Sequence, residues 1–490
     1  MAAAVAAIAA ACLAGCPAPR RPAPAAPVAA LTIEIGQDGG SLRGVAADPA
    51  ATYAAVTSGG DGAAAQPGPT TSGGDGAAAQ PGPATSGGDG AAAQPGPATS
   101  GGDGAAAPPG PAAPEQTAPE QTVIEARRGA AVAWRAALAG SGGPLARSGA
   151  LVVAALSGTG AAAGVPLRGS PGAVAVGLDA ATGAVRWRLA LDSSEWAIVS
   201  AVSPADGGGA VLAGSFGGTL RAGDQVVSSG GKADGFVARV SAAGAIELLV
   251  RMGGPGADAV TGVAATRDRL AIAGTFAPGA DLLGTALEPR DARSLLGDGF
   301  VAELDPRTGR PRWAAVFGGP LDDAIAGVAI DARGRVAVAG TARNVVHVNG
   351  LDLKAQGAAD ALVAWWEPGG AAGPAILLGG PGFDGASAIA AAGDRVVVGA
   401  FFSDTLQAGA RAIAAVAGDD ALLVALDGGA VVEAWPAGGP GREEIAALAA
   451  LPGGFVAGLA HTAGARVGDA ALAAPRDPLA GAALVVRPVR

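Results

Sequence analysis

Cysteine, histidine, lysine and aromatic residues are all scarce in this chain of 490 residues. Its two cysteines, Cys12 and Cys16, both stand near the start, so the rest of the chain has no thiol for a disulfide framework or a thiolate metal site. The two histidines, His347 and His461, fall at different places in the sequence repeats, and no partner set for a zinc site or a Ser-His-Asp triad is recognisable around them. We therefore predict no catalytic residues, no metal ligands and no cofactor.

Positive charge is also in short supply. Acidic residues outnumber basic ones by 42 to 32, which gives a net charge of −10. Such a chain lacks the basic surface that binding to a phosphate backbone requires. Nucleic acid is therefore not expected as a partner.

Glycine and proline, by contrast, are abundant, at 83 and 36 residues. This composition disfavours long helices and favours many short strands joined by turns. Aromatic residues make up only 3% of the chain although half of it is hydrophobic, so alanine, valine and leucine supply most of the apolar surface. The composition predicts an all-β protein built from thin, closely packed sheets.

Residues 1–15 form an apolar run that leads to Leu13-Ala14-Gly15-Cys16 and is followed by Pro17 and further prolines. A run of this length is too short to cross a bilayer as a permanent helix and is typical of the core of a signal peptide. The alternative is a buried apolar helix, but the run lacks the amphipathic pattern of such a helix. Residues 13–16 resemble the lipobox of bacterial lipoproteins, although residues 1–4 lack the positive charge that signal peptides normally carry there.

That resemblance implies that a signal peptidase removes residues 1–15 and that the thiol of Cys16 carries a diacylglycerol. Acyl chains provide an anchor worth about 0.8 kcal/mol for each buried methylene group, so the protein would sit on a membrane without crossing it. Pro17, rather than aspartate, after the cysteine implies the outer membrane. We expect a monomeric outer-membrane lipoprotein on the periplasmic or cell-surface side.

Low-complexity sequence fills the next part of the chain. From Thr57 the segment Thr-Ser-Gly-Gly-Asp-Gly-Ala-Ala-Ala-Gln-Pro-Gly-Pro-Thr recurs with a period of 14 residues, and two copies of Ala-Pro-Glu-Gln-Thr follow. The tract has no large apolar side chain, so it cannot offset the entropy lost on folding. We predict that residues 16–56 are mostly disordered, apart from one short strand near Leu31, and that residues 57–122 form a flexible stalk. Neutral expansion of a repeat explains the same sequence equally well.

A different repeat, with a period of about sixty residues, begins near Gly129. Gly-Gly pairs that start at residues 253, 318, 379 and 438 are spaced by 65, 61 and 59 residues. Each unit contains four short apolar runs, which predict four strands. The last two runs flank turns with the sequence Leu-Asp-x-x-Thr-Gly, as at Asp179 and Asp305, whose glycine supplies the backbone angles of a hairpin turn. Repeats of this length are typical of β-propeller blades.

The hairpins that end at Trp187 and Trp313 resemble the repeats of PQQ-type β-propellers, in which Leu-Asp-x-x-Thr-Gly-x-x-x-Trp places the tryptophan between blades. The Gly-Gly and Ala-Gly-Thr-Phe elements, such as the one that ends at Phe276, resemble a family of bacterial surface proteins with seven-bladed β-propeller repeats. The two resemblances cover residues 129–490 and imply a β-propeller there. They say little about chemistry, because propellers host both enzymes and binding scaffolds.

Third-strand elements recur six times, which predicts six blades and leaves seven open if residues 31–53 contribute. The C-terminal run around Leu484 is a third strand without a partner, and residues 132–138 are a tryptophan-containing fourth strand without a predecessor. We predict that these two runs pair. The chain ends would then close the ring and leave no exposed sheet edge.

An aspartate and a tryptophan recur at fixed places in the repeat. The residues are Asp234, Asp298, Asp360 and Asp420 at the start of third strands, and Trp134, Trp187, Trp313 and Trp435 in fourth strands. Repetition favours a structural role, in which the carboxylates accept backbone N–H groups and the tryptophans pack between blades. A ring of Ca²⁺-binding carboxylates is the alternative, but the dense oxygen ligands of calcium loops are missing from the sequence.

Trp365 and Trp366 stand next to each other in one predicted strand. Adjacent strand residues point to opposite faces of a sheet. One of the two is therefore a candidate for an exposed binding platform.

Three functions fit these features. The first is a membrane-anchored extracytoplasmic scaffold whose propeller binds a protein or a glycan. The second is a propeller enzyme, PQQ-like or acting on a polysaccharide, for which clustered acids, arginines and histidines are expected on inner loops; the charged residues, 15% of the chain, are scattered instead. The third is a periplasmic factor that assembles outer-membrane proteins, as the PQQ-like hairpins suggest. We favour the scaffold and leave enzymatic activity open.

Overall fold

Seven four-stranded blades form a closed β-propeller. The computed structural model describes residues 31–35, 41–58, 120–290, 297–321, 323–474 and 481–489. In each blade, four antiparallel strands are hydrogen-bonded side by side, and we number them from the central axis outwards. Each first strand contacts the first strands of both neighbouring blades, and this ring of contacts closes between blade 7 and blade 1. The predicted all-β propeller is confirmed, with seven blades rather than six.

The strands of the blades are short, with five to nine residues each. In the order of blades 1 to 7, the first strands are Ser41–Ala47, Ser141–Ser148, Trp196–Pro204, Ala259–Ala265, Ala324–Ile330, Gly385–Ala392 and Glu444–Leu451. The second strands are Thr52–Ser58, Leu151–Gly158, Ala210–Gly217, Leu270–Phe276, Val336–Ala342, Arg395–Phe402 and Gly454–His461. The third strands are Gln121–Arg128, Gly172–Asp179, Asp234–Val240, Asp298–Leu304, Asp360–Trp366, Asp420–Asp427 and Gly481–Pro488. The fourth strands are Ala131–Ala139, Val185–Ser193, Ile246–Met252, Pro311–Phe317, Ala372–Leu378, Ala430–Gly438 and, for blade 7, Leu31–Ile35.

The core of the protein lies between the blades. Neighbouring blades cover the second and third strands on both faces, so Asp298–Leu304 is buried throughout while Pro311–Phe317, the fourth strand of the same blade, is mostly half-buried. Strands covered on both faces read as continuous apolar runs rather than alternating ones. Each hydrophobic cluster accordingly joins two blades, as where Val237 of blade 3 meets Phe276 and Phe300 of blade 4.

The chain ends close the ring, as predicted, but through a different strand. Leu31–Ile35 pairs antiparallel with Gly481–Pro488, with Ile33 opposite Leu484. The predicted pairing of the C-terminal strand with residues 132–138 is wrong. Those residues pair with Gln121–Arg128, a predecessor that lies directly before them in the sequence and whose own partners are on the far side of the low-complexity tract.

Blade 1 is divided in the sequence by the low-complexity tract. Its second strand ends at Ser58, its third begins at Gln121, and these two residues pair with each other. Residues 41–58, which the sequence analysis placed in a mostly disordered segment and in the start of the tract, are strands of the propeller. Gly59–Pro119 lies outside the described residues. The long interruption hid this blade from a search for a sixty-residue period.

Blades 2 to 7 carry a small hairpin between their second and third strands. The hairpin strands are Ala161–Ala162 and Val165–Pro166, Thr219–Ala222 and Gln225–Ser228, Asp281–Leu282 and Thr285–Ala286, Val345–Val348 and Leu351–Lys354, Thr405–Ala408 and Arg411–Ala414, and Arg466–Val467 and Ala470–Ala471. Each hairpin reaches the preceding blade. Gly253 at the end of blade 3, for example, exchanges backbone hydrogen bonds of 3.0 and 3.1 Å with Asp281 of blade 4. In the described part of the chain, hairpins bridge six of the junctions between neighbouring blades in this way.

Helices contribute almost nothing to the described residues. The helix that the structure shows is the three-residue 3-10 turn Asp206–Gly208. No helix within the described ranges has the length and apolar character needed to span a membrane.

Candidate functional site

Antiparallel strands place the connections of every blade on two opposite faces of the ring. The hairpins and the turns from one blade to the next lie on one face, which we call the hairpin face. The turns between first and second strands and between third and fourth strands lie on the other, which we call the turn face.

The turn face is rich in ion pairs. Glu303 lies 2.5 Å from Arg269 and 3.2 Å from Arg312, and Arg333 lies 2.7 Å from Asp394. Backbone N–H groups, the first of them that of Thr308, hold the pKa of Asp305 at about 2. Several charges of this face therefore have partners within the protein.

The hairpin face instead exposes apolar side chains. Among the described residues seven large apolar side chains are exposed, and five of them lie on this face: Val226, Leu283, Leu321, Leu351 and Val416. Val416 is 71% exposed and Leu321 is 45% exposed. Single exposed aliphatic residues are ordinary, but their concentration on one face of four consecutive blades is typical of an interaction surface.

The recurrent aspartates lie just below the hairpin face. Asp234, Asp298 and Asp360 are 0% exposed and Asp420 is 2% exposed. Each accepts a backbone N–H group from the loop before its strand, as at 2.8 Å from Gly230 to Asp234 and at 2.7 Å from Val416 to Asp420. The structure thus gives these carboxylates the turn contacts expected from the sequence.

A second buried carboxyl group lies beside each recurrent aspartate. It belongs to the turn that leads from one blade to the next, and sequence reasoning missed it. The residues are Asp258, Asp323, Asp384 and Glu443, each five positions after the first glycine of a Gly-Gly pair. That regular spacing was the available signal. Burial, opposed by hydrogen bonds from Gly380 and Ser403 and reinforced by the charge of Asp360, raises the pKa of Asp384 to about 6. Burial and the neighbouring Glu443 raise the pKa of Asp420 to about 6 as well.

Glycine at the first position of each pair allows the two carboxyl groups to approach. A Cβ atom on Gly379 would lie 2.2 Å from Cγ of Asp360, and one on Gly253 would lie 2.8 Å from an oxygen of both Asp234 and Asp258. The neighbours of these oxygens include backbone N–H donors and the guanidinium of Arg251, whereas a calcium site needs carbonyl and carboxylate oxygens. The residues that the structure describes contain no group of three or more acidic, histidine or cysteine side chains able to hold a metal ion.

The four recurrent tryptophans contact neighbouring blades. Trp134 Nε1 donates to the carbonyl of Ala180 in blade 2 at 2.9 Å, and Trp187 Nε1 donates to that of Ala242 in blade 3 at 3.1 Å. Trp313 packs against Gly370 of blade 5 while donating to Glu303, and the ring of Trp435 lies 5.4 Å from that of Phe455 in blade 7.

Trp365 and Trp366 are both buried, at 0% and 2% exposed. Trp365 packs in the cluster shared with blade 6, and Trp366 in the cluster shared with blade 4, where its ring lies 5.7 Å from that of Phe317. They point to opposite faces, as expected, but blades cover both faces. Neither is an exposed binding platform, which corrects the sequence prediction.

The structure does not bring the two histidines together. His347 lies on the hairpin of blade 5, where Nδ1 is 2.6 Å from Asp352. His461 is buried at the end of the second strand of blade 7.

One cavity of about 550 Å³ lies on the outer side of blade 6, between its hairpin and its fourth strand. Its lining includes Arg411, Val432, Glu433 and Trp435. A single acid and a single arginine in an open cavity do not make the convergent set that an enzyme site needs.

Three partly exposed side chains on the hairpin face form a stack where blades 5 and 6 meet. The guanidinium carbon of Arg343 lies 5.5 Å from the ring centroid of Phe383. The Phe383 ring in turn stacks on that of Phe401, with centroids 5.9 Å apart and an interplanar angle of 20°. We call these three residues the Arg343 stack.

The Arg343 stack departs from the repeat. Strand register and equivalent backbone bridges show which residues take its place at the junction of blades 3 and 4. They are all small: Gly217 for Arg343, Ala257 for Phe383 and Thr275 for Phe401. Sequence reasoning missed the stack because each of its residues is ordinary alone. Only the alignment of equivalent positions shows that three large side chains replace small ones at the same place.

No family model matches the chain, and no curated protein sequence matches it. Several solved structures are similar to it. BamB from Moraxella catarrhalis shows 13% identity, with 74% of this chain and 91% of that chain covered and a TM-score of 0.33. A quinohemoprotein alcohol dehydrogenase from Comamonas testosteroni shows 12% identity over 74% of this chain and 71% of that chain, with a TM-score of 0.33. The β-propeller domain of the Trilobed protease from Pyrococcus furiosus shows 10% identity over 71% and 94%, with a TM-score of 0.34. We infer nothing about function from likenesses at this level.

Proposed function

We propose that this protein is a membrane-anchored extracytoplasmic lipoprotein whose propeller is a binding scaffold, and that its hairpin face contacts a partner protein. The observation that supports the proposal is the contrast between the two faces. Several charges on the turn face are paired within the protein, whereas the hairpin face exposes aliphatic side chains over blades 3 to 6. Partner proteins commonly cover apolar patches of this kind.

The course of the chain supports an anchor on the side away from the hairpin face. Cys16 lies outside the described residues, and the first strand begins 15 positions later, at Leu31. Leu31 pairs with Val486, near the end of the third strand of blade 7, so the chain enters the propeller at the turn face. A lipid on Cys16 would hold the turn face towards the membrane and leave the hairpin face open to a partner.

The reach of this anchor is set by residues 17–30. The low-complexity tract interrupts the sequence of blade 1 between the paired residues Ser58 and Gln121, so it does not lengthen the segment between Cys16 and the first strand. Fourteen residues in a proline-rich extended form span about 40 Å.

Cys16→Ser is expected to release the protein from membranes into the soluble extracytoplasmic fraction, because the thiol that accepts the lipid is lost. Cys12→Ser is the matched control, since it removes the other cysteine inside the predicted signal peptide. Fractionation followed by immunoblotting measures both variants. Membrane association of Cys16→Ser equal to that of Cys12→Ser would contradict the anchor.

A photo-crosslinking amino acid at Leu283 or Leu351 is expected to give discrete crosslinked products in cells of the producing organism. Both positions are exposed on hairpins, at 39% and 44%. Arg307, exposed on the turn face, is the control position and should give none. Equal products from both faces, or none from the hairpin face, would count against the scaffold proposal.

A further inference from the structure

We propose that the Arg343 stack recognises an acidic peptide segment of the partner, one that offers a carboxylate next to apolar side chains. This inference rests on the proposed function, because it names the chemistry of the partner that the hairpin face contacts. It depends on three observations: a guanidinium held against an aromatic ring, exposed apolar groups on the same two blades, and a departure from the repeat.

The guanidinium of Arg343 is positioned but has no carboxylate partner. Within the described ranges its contact with the Phe383 ring is the one side-chain interaction it makes. Two other arginines of this face are engaged, since Arg251 pairs with Asp234 and Arg290 Nε donates to the carbonyl of Val316 at 2.9 Å. A guanidinium stacked on a ring keeps its N–H groups in its own plane, where they match the two oxygens of a carboxylate.

The surroundings of the stack favour a peptide over a glycan. Leu321 of blade 5 and Val416 of blade 6 are exposed on the same face as the half-exposed rings of Phe383 and Phe401. Aliphatic side chains gain by excluding water from other apolar groups, but they leave the hydroxyl groups of a sugar without hydrogen-bond partners. An acidic polysaccharide would use the guanidinium and gain nothing from Leu321 or Val416.

The fold does not require the stack. The junction of blades 3 and 4 has the same strand register with Gly217, Ala257 and Thr275 at the equivalent positions. The backbone around the stack is fixed: the N–H of Phe383 donates to Ser403 Oγ at 2.9 Å and that of Arg343 donates to Asp323 at 3.1 Å. Large side chains on a fixed backbone bind with little loss of conformational entropy.

The experiment selects dodecapeptides from a random phage-displayed library on the purified full-length protein. Synthetic copies of the enriched peptides are then titrated by fluorescence anisotropy. We expect enriched peptides to carry aspartate or glutamate beside leucine, isoleucine or phenylalanine. Arg343→Glu should weaken their binding at least tenfold, and peptides with the acid replaced by lysine should regain affinity for Arg343→Glu but not for the wild type.

Two variants control for folding and for net charge. The triple variant Arg343→Ala, Phe383→Ala and Phe401→Thr gives this sector small residues like those at the junction of blades 3 and 4, so it should keep its melting temperature and lose peptide binding. Arg221→Glu makes the same charge change on the exposed hairpin of blade 3 and should leave binding unchanged.

The inference is overturned if no acidic peptides are enriched, or if Arg343→Glu binds the enriched peptides as tightly as Arg221→Glu does. It is also overturned if the stack binds polygalacturonate and not the peptides. These results are separable from a failure of the proposed function. If Leu283 and Leu351 still give crosslinked products but peptide binding does not depend on Arg343, the scaffold proposal stands and the Arg343 stack is excluded as the binding site.

Discussion

Removal of residues 1–35 is expected to lower the melting temperature of the protein by more than about 10 °C relative to removal of residues 1–30. The longer truncation deletes Leu31–Ile35, the fourth strand of blade 7, and leaves Gly481–Pro488 without its outer partner. Gly481–Pro488 in turn contributes to the junction between blades 7 and 1, where Leu42 and Val45 pack against Val456 and Leu484. Loss of a whole paired strand costs several kcal/mol, and each kcal/mol shifts the melting temperature of a domain this large by roughly 2–4 °C.

The comparison isolates the strand. Both truncations lack Cys16, so the proposed lipid affects neither, and they differ only in five residues. Differential scanning calorimetry measures the melting temperatures, and light scattering reports aggregation through the exposed sheet edge. Equal melting temperatures would show that the ring does not depend on this closure.

The sequence predicted the parts of the fold that recur at short range. Four strands per unit follow from local patterns, such as the run around Phe300 and the turn at Asp305, and they repeat often enough to define blades. Blade 1 could not be recognised in this way because 62 residues separate Ser58 from its partner Gln121. The closing strand near Leu31 was noticed, but nothing local identifies its partner at the other end of the chain.

The candidate site was harder to predict for a different reason. Trp365 and Trp366 were considered because they are large and adjacent, yet propeller blades cover both faces of a third strand and bury both residues. Arg343, Phe383 and Phe401 are separated by up to 58 positions and meet only because blades 5 and 6 are neighbours. Side chains that depart from an otherwise regular repeat are better indicators of function here than the residues that recur.

The buried carboxyl pairs predict that the protein is more stable at pH 5 than at pH 8. The pKa values of Asp384 and Asp420 are about 6, above the usual 3.8, so the folded state binds these protons more tightly than the unfolded state does. Stability from these groups is therefore greatest below about pH 4 and declines as the pH rises through 6. Asp179 and Asp305, whose pKa values are about 2, have the opposite effect. The stability that they contribute to the folded state is lost as the pH falls below about 4. The free energy of unfolding should therefore be greatest at a pH between these two ranges.

Asp420→Asn is expected to raise the melting temperature at pH 8 by several degrees and to flatten its dependence on pH between 5 and 8. The charge of the neighbouring Glu443 opposes the ionisation of Asp420, so the two groups repel each other when both are carboxylates. Asparagine can accept the N–H of Val416 through its oxygen, as Asp420 does at 2.7 Å, and can donate its amide to Glu443. The wild type loses stability when Asp420 ionises, whereas the neutral amide of asparagine has no proton to lose in this pH range.

Glu443→Gln is the matched variant from the other side of the pair and should give the same result. Its oxygen can keep the contacts with Thr462, at 3.2 Å to the N–H and 2.6 Å to the hydroxyl, while its amide donates to Asp420. Asp179→Asn, on the turn face, removes a carboxylate with a lowered pKa and should leave the slope between pH 5 and 8 unchanged. Thermal melts of all three across this range test the argument. If the melting temperatures of Asp420→Asn and Glu443→Gln depend on pH as strongly as that of the wild type, ionisation of this carboxyl pair does not cause the loss of stability towards pH 8. Other buried carboxyl groups of the propeller would then cause it.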